Sequence, residues 1–363
     1  MNYDVPRGVG VTQVAHELNR PPITRHFSTG DFLDELSDHD IRIAKVWITG
    51  DPFDGAQRWG GDRFNMGTKH PRYEDMDLVW RHPDIDIIVA RFLSFAWSAN
   101  EINCKGKVGP VWAEEPTYEI ARKLLKRYGD EDKVIIISEW ECDWQWRGVG
   151  CNRRDQNIWY GWWMNECQKE HGAEKCSKML ARSRMDYVKR RTIERQAGVE
   201  KARAERPDAK LRVFVSITLN QFDEVGGHFK MNLAKDMVPT LDVMPDYIGV
   251  SYWPAQTKSI TEVFEYIREH TGMPIDRIYI DEVGAAEKTP GLQYDRIMNV
   301  IPAAFDAGCA FACVWMWRQT WYDWMADGRP KNYGMWQWTG DEGRVEWGEP
   351  TSGLQAIHEL NGR

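Results

Sequence analysis

The chain has no apolar run approaching the roughly 18 residues of a membrane span, so no segment is expected to cross a bilayer. Its opening residues, MNYDVPRGVG, lack the basic-then-apolar order of an export leader. Positive charge is not in surplus: 47 Lys and Arg stand against 55 Asp and Glu, a formal net charge of −8. The one marked basic stretch, from Lys178 to Arg206, alternates Arg and Lys with Glu at helical spacing, which describes a solvated helix face rather than a nucleic-acid arm. Histidine is sparse, with nine in 363 residues, and only His16 falls near an expected strand end, so a metal site built from His and carboxylates is not expected. There is no short internal repeat and no low-complexity tract. No GxGxxG follows the first strand-like run, which weakens a dinucleotide-binding reading.

Tryptophan is abundant instead: 19 residues, more than Tyr (13) or Phe (12). Many sit beside charges or glycine in expected loops, among them Trp59, Trp97, Trp144, Trp146, Trp321 and Trp324. An indole offers a flat apolar face and a single N–H donor, which suits stacking on the C–H face of a sugar while one edge stays wet.

Short aliphatic runs recur along the chain, at 8–16, 41–49, 86–97, 133–141, 211–222, 246–254, 277–284 and 309–317. Helical patterns separate them, such as YEIARKLLKRYGDED, SITEVFEYIREHTG and YDRIMNVIPAAFDAG, each ending at glycine or a polar cluster. Strands alternating with helices predict a parallel sheet, and runs apolar on both parities predict burial on both faces. Eight units predict an α/β fold, a (β/α)8 barrel forming one catalytic domain over 1–363. Loop elaborations are expected at about 51–85 and 142–180, and an irregular segment, 321–363, is expected to fold over the C-terminal face. Cys142, Cys151, Cys167 and Cys176 lie within one stretch and allow two bridges in three connectivities, whereas Cys309 and Cys313 read as core thiols.

In such a barrel the site lies where the strands end. The fourth run, VIIISEWECDWQW, ends in Glu139, Glu141 and Asp143; the seventh ends in Asp281 and Glu282. Strands four and seven stand three positions apart in the ring, so their carboxylates face each other across the mouth. Two facing carboxylates are what glycoside hydrolysis requires, one to protonate the leaving oxygen and one to attack or to activate water. A lone acid at a strand end is most often a cap or a salt-bridge partner. Two such acids, with Asn220 after strand five, Tyr252 and Trp253 after strand six and Trp315 and Trp317 on strand eight, argue against that reading here.

These motifs resemble the clan A glycoside hydrolases, retaining β-glycosidases on a (β/α)8 barrel. RIYIDEVG is similar to their strand-seven pattern, an aliphatic run followed by Ser/Thr-Glu-Phe-Gly; the resemblance makes Glu282 the nucleophile, with Asp281 in the Ser/Thr position. DYIGVSYWP resembles the strand-six pattern, most closely that of endo-β-1,4-galactanases, and implies that Tyr252 orients the nucleophile. CAFACVWMW resembles strand eight, whose terminal Trp floors a sugar subsite; Trp315 or Trp317 fills that role, with Trp317 nearer the strand end. Strand four departs from the clan's Asn-Glu, having Trp140-Glu141 and, two residues earlier, Ser138-Glu139. Counting from Val134 places the acid/base at Glu141, with Glu139 the alternative. Glu139, of the same parity, is then expected to point into the barrel, bonding a sugar hydroxyl in place of the missing Asn or raising its neighbour's pKa by repulsion. Trp97 and Trp144 complete the expected sugar contacts.

The implied activity is a retaining glycosidase, endo-acting on a β-linked glycan, with no cofactor and no metal. Its partner is the glycan rather than nucleic acid or membrane, and its substrate class suggests work outside the cell. The rival reading is a barrel that keeps a sugar-binding cleft without catalysis.

Overall fold

The computed structural model describes residues 7–13, 29–48, 75–92, 113–139, 141–143, 167, 169–222, 231–286, 289–317, 333–338 and 347–362. Eight parallel strands close into a barrel in sequence order: β1 (Val9–Gln13), β2 (Ile43–Ile48), β3 (Ile87–Phe92), β4 (Val134–Ser138), β5 (Arg212–Leu219), β6 (Tyr247–Tyr252), β7 (Ile278–Val283) and β8 (Ala312–Trp315). Every aliphatic run of the sequence contains one of them. Among the described residues the helices are α1 (Thr29–Asp38), α2 (Asp75–Arg81), α3 (Glu114–Tyr128), α4 (Ala173–Glu205), the single turn α5 (Leu233–Asp236), α6 (Ile260–Thr271), α7 (Leu292–Asp306) and α8 (Ser352–Leu360). None is long and apolar enough to cross a membrane.

Local chemistry sets the helix ends. Ser259 and Glu262 form a reciprocal capping box at the start of α6, and Gly272, at φ 69°, closes it in the left-handed conformation that glycine adopts without penalty. The basic run is α4, 33 residues long, as its i,i+4 charge pattern predicts.

Strand alternation divides the core in two. Outward residues such as Ile88, Ile135, Ile137, Val213, Ile248 and Ile280 pack under the helices. Inward residues of the lower barrel, among them Ile87, Val134, Phe214, Tyr247, Tyr279 and Phe311, form a separate apolar plug. Gly249 faces inward, and a Cβ there would lie 2.9 Å from both Asp281 Cβ and the Tyr279 ring, so its small size admits these two side chains. Toward the C-terminal end the inward row turns polar, with Lys45, Arg91, Ser138, Thr218, Ser251 and Asp281 all buried.

The described part of the C-terminal segment is more regular than expected. Its described part holds an antiparallel pair, β9 (Trp336–Trp338) with β10 (Trp347–Pro350), followed by α8. This helix buries Leu354 and Ile357, packs on α7 and ends with the Asn361 side chain bonded to both N–H and C=O of Val9. It runs along the barrel wall to the foot of β1 and completes the helical layer. Residues 51–74 and 144–166, which make up most of the two expected loop elaborations, lie outside the described residues; the remainder of those intervals contains α2 and the start of α4. Cys167 and Cys176 form a disulfide at the head of α4. Cys142, which the spacing allowed in a bridge, is a free buried thiol beside Glu139. Cys151 is outside the described residues, and Cys309 and Cys313 are free and buried.

Candidate active site

Glu282 reaches the barrel mouth through an irregularity in β7. Tyr279 and Asp281 alternate inward, which would turn Glu282 out toward the helices. The register against β6 shifts between Val250 and Ser251, however, so that Ser251 pairs with Glu282 while Val250 pairs with Ile280. Such a bulge re-aims a side chain, and both acids of the Asp-Glu pair come to face the barrel interior. Lys45, inward on β2 with 1% of its side chain exposed, lies between them, its Nζ 2.6 Å from Asp281 Oδ2 and 2.8 Å from Glu282 Oε1. Burial alone would lower this ammonium's pKa, but the two carboxylates outweigh it and hold Lys45 above the ordinary lysine value. Asp281 is further held by Thr218 Oγ1 (3.0 Å) and Tyr279 Oη (3.1 Å), and the latter meets Ser216 Oγ at 2.9 Å.

Glu141 lies opposite. The strand ends at Ser138 and residues 142–143 already turn helically, so the alternation of β4 no longer governs where residue 141 points. Glu141 Oε1 is in hydrogen-bond contact with Ser251 Oγ and lies 3.2 Å from the indole donor Trp253 Nε1. Ser251 Oγ also lies 3.3 Å from Glu282 Oε2, so one hydroxyl bridges the two carboxyl groups. Burial, reinforced by the Glu282 charge, pushes Glu141 up to about 8. The protonated form is therefore favoured at neutral pH. The Arg91 guanidinium, inward on β3, is lowered by burial to about 10 against the pull of Glu282, Asp281 and Glu141, and remains a cation.

Aromatic rings wall the mouth. Trp315 of β8 packs against Trp47 (centroids 5.7 Å) and Trp253 (6.3 Å), and Trp253 meets Tyr333 at 6.4 Å. Arg91 stacks on Trp47, its guanidinium carbon 3.6 Å from the ring centroid. Among the described residues, no cluster of His, Cys, Asp and Glu could hold a metal ion.

No protein-family model matches the chain, and no curated protein sequence does. Solved structures do match over nearly the whole length. A β-glucosidase from Thermotoga maritima, in complex with glucoimidazole, is 12% identical with a TM-score of 0.54, covering 99% of each chain. A hyperthermophilic β-glucosidase from Pyrococcus furiosus is 11% identical with a TM-score of 0.53, covering 98% of this chain and 94% of its own. A broad-specificity GH5-4 endoglucanase from Clostridium acetobutylicum is 9% identical with a TM-score of 0.52, covering 98% of this chain and 97% of its own. The fold is shared with these barrel glycoside hydrolases. At such identities the likeness extends to the fold alone.

The structure brings Glu141, Glu282, Trp253 and Trp315 together and moves three expected residues away. Contrary to expectation, Glu139 faces neither the barrel interior nor Glu141. The inward row of β4 is Val134, Ile136 and Ser138, so Glu139 points outward to α4, where Arg191 Nε (2.7 Å) and Arg195 Nη1 (2.8 Å) hold it. Burial would raise its pKa, but the two guanidinium groups prevail and keep it below the ordinary carboxylate value. Asp143 is also structural, accepting backbone N–H bonds from Asn220 and Gln221. The raised pKa of Glu141 thus comes from burial and Glu282, not from its sequence neighbours.

Contrary to what the resemblance implied, Tyr252 does not turn toward Glu282. It is outward on β6, its hydroxyl donating to Lys258 O at 2.7 Å, and Ser251 occupies the inward place. Trp317 does not floor a subsite: it is fully buried under the helices against Phe32 and Trp336, with its indole N–H donating to Glu35 at 2.7 Å. Trp315, two residues earlier, holds the mouth position.

Asn220 continues the inward row of β5. Its backbone is bonded to Asp143 and Gln256, while its buried side-chain carbonyl oxygen has no partner among the described residues. Trp97 and Trp144 lie outside the described residues. Lys45, Arg91, Ser251 and Trp47 are the residues that sequence reasoning missed. For Lys45 and Arg91 the available signal was a single cation inside an otherwise apolar run, IAKVWI and IIVARF.

Proposed function

We propose that the protein is a retaining β-glycosidase that cleaves a β-linked glycan internally by double displacement. The carrying observation is the pair of buried carboxyl groups bridged by one serine hydroxyl at the barrel mouth, one group protonated at neutral pH and the other beside an ammonium. Two hydrogen-bond lengths confine the bridged oxygens to within about 6 Å. Such closeness of the two groups supports retention, for which carboxyl separations are about 5–5.5 Å, against about 6.5–9.5 Å for inversion, where a water must fit between them.

A Glu282 oxygen attacks the anomeric carbon as the bond to the leaving oxygen breaks, and that oxygen takes the Glu141 proton. Water then attacks the anomeric carbon of the glycosyl ester and gives its proton to Glu141; the ester bond breaks, and Glu282 returns as a carboxylate. Lys45 holds the Glu282 carboxyl group in place between turnovers. Trp253, Trp315 and Trp47 supply the apolar faces that hold the sugar, and the Asn220 side-chain carbonyl, without a partner among the described residues, accepts from a hydroxyl.

The test is release of new reducing ends from β-glucans, mannans, galactans, xylans and amino-sugar polymers, with wild type and Glu282→Gln side by side and the anomer of the first product followed by proton NMR. Activity lost in the variant, a β-anomeric first product and a rapid fall in polymer length are expected. Equal activity in both proteins removes Glu282 from the mechanism. Silence from both, with one polymer still bound, indicates a sugar-binding barrel instead.

A further inference from the structure

Ser251 stands between two groups that the proposed reaction charges in turn, and it has one proton to give. Its Oγ is in hydrogen-bond contact with Glu141 Oε1, lies 3.3 Å from Glu282 Oε2 and accepts from Trp253 Nε1 at 2.9 Å. A hydroxyl has a single O–H and an indole N–H only donates. The Trp253 contact therefore leaves the serine proton free to turn toward either carboxyl group, but never to both. The residue is fully buried, so water does not compete for that proton. Hydrogen bonds to an ionised acceptor are roughly twice as strong as neutral ones, so the proton goes to whichever carboxyl group is charged.

We propose that Ser251 is a positioning residue whose hydroxyl proton follows the negative charge of the site, turned to Glu282 while that carboxylate is free and to Glu141 once Glu282 is esterified. The second state rests on the glycosidase reading above. In the first state Glu141 holds its own proton. That proton lies on Oε1 and is donated to Ser251 Oγ, since two oxygens in such close contact need a hydrogen between them and the serine's own proton points to Glu282. In the second state the same hydroxyl stabilises Glu141 as a base without any movement of the backbone. A serine opposite Glu282 in the β6–β7 register is small enough to rotate in place.

Other charged or titratable groups face this site from each neighbouring strand: Lys45 from β2, Arg91 from β3, Tyr279 and Asp281 from β7, and Cys313 from β8. Glu139 stands behind β4 with Arg191 and Arg195. None is altered by replacing Ser251, so a change in Glu141 titration reports the hydroxyl.

The test is a titration cycle on the full chain, with glutamate carboxyl carbons labelled and Glu141 followed by NMR in wild type, Ser251→Ala, Glu282→Gln and the double variant. The glutamine stands in for the uncharged ester. Removing the hydroxyl in the Glu282→Gln background is expected to raise the Glu141 midpoint by about one pH unit. In the background that keeps the Glu282 charge, the rise is expected to be less than half as large. Ser251→Thr keeps both midpoints at their parent values, and Ser251→Cys, a weak donor of similar size, behaves like the alanine variant. Equal rises in both backgrounds would mean a fixed hydrogen bond, and no rise in either would mean a packing role; each overturns the proposal. On a cleaved glycan, Ser251→Ala is expected to lower kcat and KM together as the glycosyl-enzyme accumulates. A wild type that cleaves no glycan refutes the glycosidase reading, while the titration cycle still decides the role of Ser251.

Discussion

Replacing Lys45 by methionine keeps most of the side-chain volume and removes the one ammonium shared by Asp281 and Glu282. Both contacts are short, 2.6 and 2.8 Å, and all three side chains are at most 5% exposed. Breaking a buried ion pair by deleting one partner typically costs about 3–5 kcal/mol, because the remaining charge is left without compensation. Two carboxylates depend on this cation, so Lys45→Met is expected near the upper end, about 5 kcal/mol at pH 7. Urea unfolding followed by tryptophan fluorescence measures it. Adding Asp281→Asn removes one of the stranded charges and is expected to recover roughly half of the loss. The destabilisation should shrink as the pH falls, because protonation discharges the stranded carboxylates. In the wild type the folded pKa of Lys45 lies above its ordinary 10.5, so its stabilisation is fully present below that pH and is lost only as pH rises through the folded value. A loss under about 1 kcal/mol for the single variant would refute this reasoning, since it would show that water or Arg91 already balances the acids.

Further outcomes follow from the same geometry. With Glu141 raised to about 8 and acting as the acid, kcat/KM should fall above roughly pH 8; a profile flat to about pH 10 would remove Glu141 from that role. Trp317→Ala should cost about 3–5 kcal/mol of stability and leave KM unchanged. Trp315→Ala should raise KM roughly fivefold, the worth of about 1 kcal/mol of stacking; the reverse pattern would return the subsite floor to Trp317. Arg195→Met leaves Glu139 with one of its two cations and removes donors to the Ile137 and Ser138 carbonyls, so a loss of about 3 kcal/mol is expected by thermal or urea unfolding. Because Glu139 faces α4, the folded fraction of that variant should keep its kcat.

The barrel itself was legible in the chain. Eight runs apolar on both parities mark strands covered on both faces, and each contains a strand of the closed sheet. Positions dictated by strict alternation were available too. Trp315 and Trp317 share a parity in an extended strand, yet Trp315 follows the inward Phe311 and Cys313, whereas the chain leaves the strand after Trp315 and Trp317 is packed under the helices. Tyr252 falls on the outward side of β6 with Ile248 and Val250, which alternation alone predicts once Tyr247 is known to face in.

What alternation does not carry is where it stops. The bulge that turns Glu282 inward beside Asp281 arises from pairing with β6, and the end of β4 at Ser138 separates Glu139 from Glu141 despite their equal parity. Neither event has a marker in a single strand's sequence, because both depend on which neighbour supplies the next hydrogen bond. Charge partners are tertiary as well. Glu139 and Glu141 are two residues apart and chemically identical, yet one meets Arg191 and Arg195 across a helix and stays ionised, while the other meets a carboxylate across the barrel and keeps its proton. The sequence alone determined a closed eight-stranded barrel with acids at the ends of strands four and seven, since periodicity and residue type are local properties. Only the tertiary structure decided which acid holds a proton and which tryptophan meets the mouth, because those follow from contacts between residues far apart in the chain.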